Sequence, residues 1–458
     1  MMREPPFSLL RKPPPLELKG ARLLVLGLGD SGLSVARWAG REGARVRAAD
    51  TRDAPPRKQD FKGELHTGAF QASLLDDVDL VCVSPGISLE EKIVRDALQR
   101  RIPIVGDIEL FAWHVRGKTR SKVLGITGTN GKTTVTSLTG HLLRTAGVDC
   151  EVAGNISPAA LAALAGRASA PAVWVLELSS YQLETTWSLD PDAAVMLNLT
   201  EDHLDRYASV KEYGEAKARI FLGAGVQVVN RDDPRSLALA RPGAARMTYG
   251  LGAPAVAWDF GVIGEDLVQG HEAFLEAKHL QIRGAHNVSN ALAACALARS
   301  MGLTLEALGK GLRGFKGLPH RVELVATLRG VEWYDDSKGT NVGATVAALS
   351  GLNKSTILIL GGEGKGQDFS PLAVPVSQFA RQVLLIGRDA PLIELALGGA
   401  GIPLKRCASL EDAVEQAACE ARPGDAVLLS PACASFDMFR DYRQRGEIFA
   451  AAVKRLAT

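Results

Sequence analysis

Three times along this 458-residue chain a short apolar run stops at glycines and gives way to a helix-like segment, and few folds accommodate that order. The first run is residues 23–26, followed by Gly27-Leu-Gly29-Asp-Ser-Gly32, a helical stretch over 31–41 and a second strand over 45–49. The second run, 122–126, leads into Gly128-Thr-Asn-Gly131-Lys132-Thr133-Thr134 and a helix from 132 to about 146. Residues 172–178, 193–197 and 226–229 read as further strands of that block. The third cycle begins near Val331 and takes in 355–360 with Gly361 and Gly362, 382–386 and 426–429. Strands alternating with helices predict parallel sheets covered by helices. The chain therefore reads as α/β with three domains, 1–112, 113–317 and 318–458, the second boundary falling in Gly-Phe-Lys-Gly-Leu-Pro-His at 314–320. At about 150 residues per domain, the length agrees.

The balance of charge narrows the ligands. There are 53 Lys and Arg against 51 Asp and Glu, a net of +2, so no overall field marks a nucleic-acid or polybasic membrane binder. Aromatics make up only 5%, which argues against a stacking surface for single strands. Anions must be held by local arrangements. The six Cys (Cys82, Cys150, Cys295, Cys407, Cys419, Cys433) form no C-x-x-C pair and predict buried thiols in a reducing compartment. The leading residues lack the apolar core of a signal peptide, and no run of about 18 apolar residues occurs, so a cytoplasmic protein without membrane insertion is expected.

The first glycine turn spells the dinucleotide fingerprint, and Asp50, 18 residues after Gly32, stands where a ribose-binding acid is expected. Taken alone it says NAD. Its physical content is broader, because glycines that let helix N-terminal amides approach a diphosphate would serve UDP attached to a sugar equally well. The second turn has the strand–turn–helix setting of a phosphate-binding loop, with Lys132 placed for the β- and γ-phosphates of ATP and the Thr133 hydroxyl for magnesium. It misses the general G-x4-G-K-[ST] spelling by one residue, since position 126 is Ile. The first and last domains are thus expected to be Rossmann-like, and the central one a P-loop ATPase domain.

The Gly128–Thr134 loop resembles that of the ATP-dependent Mur ligases, which build the peptide of bacterial peptidoglycan and thereby serve the cell wall, cell shape and division. Two later segments, Tyr334-Asp-Asp336-Ser337-Lys338-Gly-Thr340-Asn341 and Leu429-Ser-Pro-Ala-Cys-Ala-Ser435-Phe436-Asp-Met-Phe439, resemble the branch of that family whose incoming amino acid is D-glutamate. The resemblance runs from about residue 22 to 450. It implies three domains in the order UDP-substrate, ATP and amino acid, and an amide ligase that joins D-glutamate to UDP-N-acetylmuramoyl-L-alanine through an acyl phosphate. ATP and two magnesium ions are implied with it, and a monomer is expected.

Site residues carry over one at a time. Gly128, Thr129, Asn130, Gly131, Lys132, Thr133 and Thr134 match the ATP loop, Asn287 and Asn290 the residues beside adenine, and Arg321 and Asp336 a grip on ATP from the last domain. Asp30, Ser31, Asp50, Thr51, Arg52, Ser84, Pro85 and Gly86 match positions around the uridine diphosphate; for Asp30, whose charge would repel a diphosphate, a backbone contact is expected. Asn155 resembles a substrate-contacting asparagine. Lys338, Thr340, Lys365, Ser435, Phe436 and Tyr442 match the region that receives D-glutamate and the new bond. Lys132, His203, Lys217 and Lys338 are the implied catalytic groups, and Thr133, Glu177, His203 and Lys217 the implied metal ligands. Glu177 closes an otherwise apolar run, where a carboxylate is well placed for magnesium. Lys217, by its local sequence, is an ordinary solvated helix lysine; the resemblance implies instead a carbamylated side chain, which requires burial.

Three other readings compete. An NAD-dependent oxidoreductase explains the first turn but leaves the second turn, Glu177 and the 334–341 segment without roles. A non-catalytic nucleotide-binding module has no need of Lys217 or Lys338. A sister ligase, or a folylpolyglutamate-synthase-like one, would take another amino acid.

Overall fold

The computed structural model describes residues 5–223 and 225–457. It contains three sheets. The first orders its five strands Glu64–Thr67, Arg45–Asp50, Arg22–Leu26, Leu80–Val83 and Ile104–Val105, all parallel. The second has a parallel centre, in the order Val226–Asn230, Ala193–Met196, Lys122–Thr127, Val173–Glu177 and Cys150–Gly154. Four strands from Arg246 to Glu276 extend it beyond Val226–Asn230, with an antiparallel pairing of Phe260–Ile263 with Asp266–Gln269. The third sheet orders Glu323–Leu328, Val331–Asp335, Ala426–Leu429, Thr356–Gly361, Ala380–Ile386 and Leu404–Arg406, parallel except at its first pair.

The sequence-predicted strands fall within a residue or two of those observed, because most, such as Lys122–Thr127, Val173–Glu177 and Ala426–Leu429, are buried apolar runs. Strands that sequence reading missed include Glu64–Thr67, whose residues are mostly exposed, and the strands between Arg246 and Glu276. An edge strand takes its hydrogen-bond partners from a sheet already formed, so its own sequence need not be apolar.

Two compact units result. One is the chain up to Leu199 with Arg206–Phe274 and Leu292–Gly311; the other is Thr200–Asp205, Leu275–Ala291 and the chain from Leu312 onward. Within the first unit, the first two sheets share a core containing Leu23, Val25, Trp38, Phe111, Trp174 and Met196. The helix Asp107–Lys118 supplies Ile108, Leu110, Phe111 and Val115 to that core, with Phe111 edge-on to Trp174 at 5.0 Å. Its Glu109 is fully buried and accepts the amides of Trp187 and Ser188 at 2.6 and 2.9 Å and the Trp113 indole at 2.9 Å. A buried carboxylate with three donors stays satisfied, and it pins the chain after Glu184 to this helix.

No helix of the described residues is long and apolar enough to cross a membrane. The expectation of buried thiols needs correction at two positions. Cys82, Cys150, Cys295 and Cys433 are buried, but Cys407 is half-buried and Cys419 is exposed, near the end of the helix Leu410–Glu420 whose buried face is Leu410, Ala413, Val414 and Ala417.

Candidate active site

At the first glycine turn the helix Asp30–Arg41 starts immediately after Gly29. A Cβ on Gly32 would lie 1.9 Å from the Gly27 carbonyl oxygen, so only glycine lets helix and strand approach this closely. Ser84 donates its hydroxyl to the same Gly27 carbonyl at 2.7 Å, fastening the Ser84-Pro85-Gly86 turn to the glycine turn. Asp30 turns its carboxylate outward to Arg57, at 2.6 Å, so its charge is directed away from the backbone amides of the helix start, groups of the kind that can receive an anion. Asp50 is already occupied. Its Oδ2 accepts the Leu28 amide at 2.7 Å and its Oδ1 the Arg52 amide at 3.0 Å, while the Arg52 guanidinium bridges both oxygens at 2.7 and 2.8 Å. Burial opposes ionisation of Asp50, but Arg52 and the two amides outweigh it and bring the carboxyl down to about 2. Asp50 therefore braces the turn, and neighbouring Thr51 and Arg52 are exposed.

The phosphate loop lies between the strand Lys122–Thr127 and the helix Lys132–Thr145. Gly131 has φ of +83°, a left-handed conformation that turns the chain into the helix. Asn198 holds the loop in place: its carbonyl accepts the Thr129 amide at 3.0 Å, its Oδ1 accepts the Asn130 amide at 2.8 Å, and its Nδ2 donates to the Asn130 carbonyl at 3.1 Å. Lys132 folds back so that Nζ donates to the carbonyls of Gly128 and Thr129, both at 2.8 Å. Thr133 is half-buried and Thr134 buried in the first helical turn.

Two further predicted residues meet this loop. Parallel register pairs Glu177 with Ile126, so the carboxylate emerges at the strand end next to the loop. Glu177 is 2% exposed; Asn155 donates to its Oε1 at 2.8 Å, and its Oε2 has no partner. Asn155, expected at the substrate, thus also orients Glu177. Lys217, at the end of the helix Val210–Ala218, is 1% exposed and donates Nζ to the Gly128 carbonyl at 2.9 Å, over the Tyr213 ring at 4.5 Å. Its local sequence suggested a solvated lysine, and packing overturns that: Tyr213, Gly214 and Ala216 are buried on the same helix, and Lys217 goes inward with them. Lys132 and Lys217 converge on one carbonyl oxygen.

In the second unit the 334–341 segment is bound to the turn at His320. The Lys338 amide donates to the His320 carbonyl at 3.2 Å, and His320 Nδ1 lies 2.7 Å from Asp335 Oδ2. The hydrogen bond to Asp335 raises the pKa of His320, against partial burial. Asp336 is buried, with Oδ2 accepting the Ser430 hydroxyl at 2.7 Å and Oδ1 the Val322 amide at 3.3 Å. Burial pushes its carboxyl up to about 7, although Ser430 and half-buried Arg321 pull the other way. A Cβ at Gly339 would come within 2.5 Å of Asp336 Oδ2, so glycine here permits that close approach. Lys338 Nζ stands over the Tyr442 ring at 4.1 Å, and half-buried Thr340 donates its amide to the Lys338 carbonyl at 2.9 Å. Ser435 is buried, neighbouring Phe436 is 67% exposed, and Lys365 is exposed in a left-handed turn. Asn290 donates to Asn287 Oδ1 at 3.1 Å, and His203, φ +56°, has Nε2 3.8 Å from Asp202 Oδ2.

Asp336 yields a stability prediction. Its folded value near 7 lies above the ordinary 3.8, so between those pH values the unfolded chain has released a proton that the folded one keeps. Folded stability falls as pH rises through that window and is flat above it. In Asp336→Asn the loss is absent, so denaturant titrations at pH 4.5 and 7.5 are expected to show the variant gaining on the parent at the higher pH. An equal difference at both values would show that Asp336 titrates normally.

Sequence reasoning missed Asn198 and Arg445. Arg445 is fully buried and donates Nε to the Ser337 hydroxyl at 3.0 Å and Nη2 to the carbonyls of Ser337 and Cys433 at 2.8 and 3.1 Å, tying the two motif segments together. Nothing in the single sequence distinguished it from the neighbouring Arg440 and Arg443.

Comparison with known proteins finds matches along most of the chain. Family models match residues 21–106 (Mur ligase MurD-like, N-terminal domain), 126–298 (Mur ligase middle domain) and 320–433 (Mur ligase, glutamate ligase domain). The chain belongs to the Mur ligase family. Its three α/β domains follow in the family's order, and it is accordingly an ATP-dependent, ADP-forming amide ligase. Among Mur ligase relatives, the protein named UDP-N-acetylmuramoylalanine--D-glutamate ligase from Nitrosospira multiformis is 52% identical over 457 residues, covering 96% of this chain and 97% of its own. The protein of the same name from Thiobacillus denitrificans is 51% identical over 463 residues, covering 96% and 98%. In fold, the chain is similar to the UDP-N-acetylmuramate-alanine ligase MurC of Thermotoga maritima (TM-score 0.62, 18% identity, 95% and 99% covered) and to MurF of Acinetobacter baumannii (0.62, 18%, 94% and 93%).

Proposed function

We propose that this chain uses ATP to join D-glutamate to UDP-N-acetylmuramoyl-L-alanine, as a monomer in the cytoplasm, in the assembly of peptidoglycan. The relatives at about half identity over nearly the whole length support this choice of substrates. The observation that carries the chemistry is the phosphate loop set beside buried Glu177, whose Oε2 is unpartnered.

In this reading residues 1–112 take the UDP-substrate, 113–317 ATP and 318–458 the amino acid. The helix start at Asp30 and Ser31, with Thr51, Arg52 and the Ser84–Gly86 turn, holds the uridine diphosphate, and Asp50 acts on it through the Leu28 amide and Arg52 that it binds. The substrate carboxylate attacks the γ-phosphorus of ATP, ADP leaves, and an acyl phosphate forms. The amine of D-glutamate then adds to the acyl carbon, and the tetrahedral intermediate expels phosphate as the nitrogen loses its proton. Lys132 turns from the loop carbonyls to the β- and γ-phosphates, where charge accumulates. Asn287 and Asn290 lie at adenine, and Arg321 and Asp336 grip ATP from the last domain. Lys338 and His203 stabilise negative charge on the reacting oxygens. Lys365, Thr340, Ser435, Phe436 and Tyr442 receive an amino acid that brings two carboxylates.

Most of the donor set fits two magnesium ions: the Thr133 hydroxyl, a Lys217 carbamate and buried Glu177, whose Oε2 has no other partner, are hard oxygen ligands, and His203 adds an imidazole nitrogen. Thr133, Glu177, His203 and Lys217 as its carbamate would hold them. Bound there, magnesium neutralises charge on the transferring phosphoryl group. Carbamylation of Lys217 also removes the juxtaposition of two ammonium groups on the Gly128 carbonyl.

A phosphate-release assay with ATP and UDP-N-acetylmuramoyl-L-alanine tests the reading. D-glutamate is expected to support turnover at least about a hundredfold better than L-glutamate, L-lysine or meso-diaminopimelate, as a site built around placed polar groups should discriminate. Turnover with one of the others but not with D-glutamate would overturn it.

A further inference from the structure

Two side chains tie elements of the first unit together. Asn198 grips the phosphate loop at Thr129 and Asn130. Arg206 has a guanidinium that reaches two separate elements. Nη2 donates to Glu184 Oε2 at 2.6 Å, and Nη1 donates to the Ile87 carbonyl at 3.0 Å. The guanidinium carbon also lies 4.8 Å from the centre of the Tyr181 ring, and Tyr207 stacks on the same ring at 6.0 Å.

Each partner leads to a binding element. Ile87 closes the turn that begins at Ser84, its amide donating to the Ser84 carbonyl at 2.9 Å, and Ser84 is bound to Gly27. Glu184 ends the short helix Ser180–Glu184 that follows Glu177 in the chain. Both charged groups are almost wholly buried, with 14% and 4% of their side chains exposed. A planar fork can meet a carboxylate and a carbonyl at once in fixed directions, whereas a lysine ammonium is a point charge on a flexible stem. No expectation from the sequence gave Arg206 or Glu184 a role.

We propose that Arg206 is a positioning residue: by bridging the Ile87 carbonyl to the Glu184 carboxylate it holds the turn of the UDP site against the ATP-binding domain. The inference rests on the ligase reading above and assigns a new residue to it. Arg206 acts on the UDP-substrate through the Ser84–Ile87 turn and touches no substrate itself.

The test uses the full chain with Arg206→Ala, Arg206→Lys and Glu184→Gln, each first confirmed as folded by circular dichroism and thermal melting. Calorimetric titration with UDP-N-acetylmuramoyl-L-alanine, without ATP or magnesium, is expected to give about tenfold weaker binding for Arg206→Ala, the scale of coupling through a packed polar network. Arg206→Lys should recover only part of that loss, and KM for the UDP-substrate should rise while KM for D-glutamate stays constant. A residue that merely supported the fold would lower the active fraction, and so kcat, without moving either KM. Unchanged affinity in folded Arg206→Ala would overturn this proposal alone; absence of binding by the parent would overturn the ligase reading and this proposal with it.

Discussion

Lys132→Ala is expected to lower turnover by about three orders of magnitude, the upper end of what one preorganised charge donor supplies to a transition state, while the protein keeps its full stability. The two parts of this expectation have separate causes. In the structure Lys132 spends its ammonium on the carbonyls of Gly128 and Thr129, groups that water or a phosphate-bound loop can also satisfy. It is also the first residue of its helix, where a positive charge opposes the helix dipole, so alanine there costs the fold nothing. Catalysis has no such substitute, because phosphoryl transfer depends on positioning and on neutralising charge at the phosphates. Phosphate release measured beside a thermal melt separates the two. A fall in melting temperature parallel to the fall in rate would mean that Lys132 is structural.

Lys217→Ala is expected to lower turnover by about two to three orders of magnitude, and a short carboxylic acid such as acetate should restore part of it. Burial works against an ammonium and favours the neutral amine that carbon dioxide requires. The position supplies that burial, and it places Nζ on the carbonyl that also receives Lys132. Removal of the side chain leaves room beside Tyr213 that a small carboxylate can enter. Lys217→Met fills the same room without an amine, so it should be equally impaired and should not respond to acetate. Unimpaired turnover in Lys217→Ala would refute its role, and equal rescue of both variants would refute the carbamate.

The contrast between Lys132 and Lys217 measures what was legible. Lys132 could be read from its neighbours, because a strand, a glycine turn and a helix start are all encoded within the same short stretch. Lys217 could not, because Tyr213-Gly-Glu-Ala-Lys217 has the composition of a surface helix and only its packing against distant elements such as the helix Ser180–Glu184 decides which face turns inward. Glu177 lies between these cases: its place at a strand end followed from the apolar run, but the vacant oxygen depends on Asn155 across the neighbouring strand. Asp50 was expected from spacing as a contact for a ligand; the structure gives both its oxygens to Leu28 and Arg52, a partnership that spacing cannot express.

Arg206 and Arg445 were invisible for a related reason. Each binds carbonyl oxygens of residues far away in sequence, Ile87 for one and Ser337 for the other, and a carbonyl is present at every residue whatever its side chain. By itself, then, the sequence determined the three α/β blocks, the two glycine turns between strand and helix and the motifs that carry the family resemblance, since these arise from local periodicity and local backbone geometry. Only the tertiary structure decided which lysine is buried, which carboxylate oxygen is left open and which arginines tie the loops together. Burial and backbone hydrogen bonding are properties of a position in space, and distant segments of the chain create that position together.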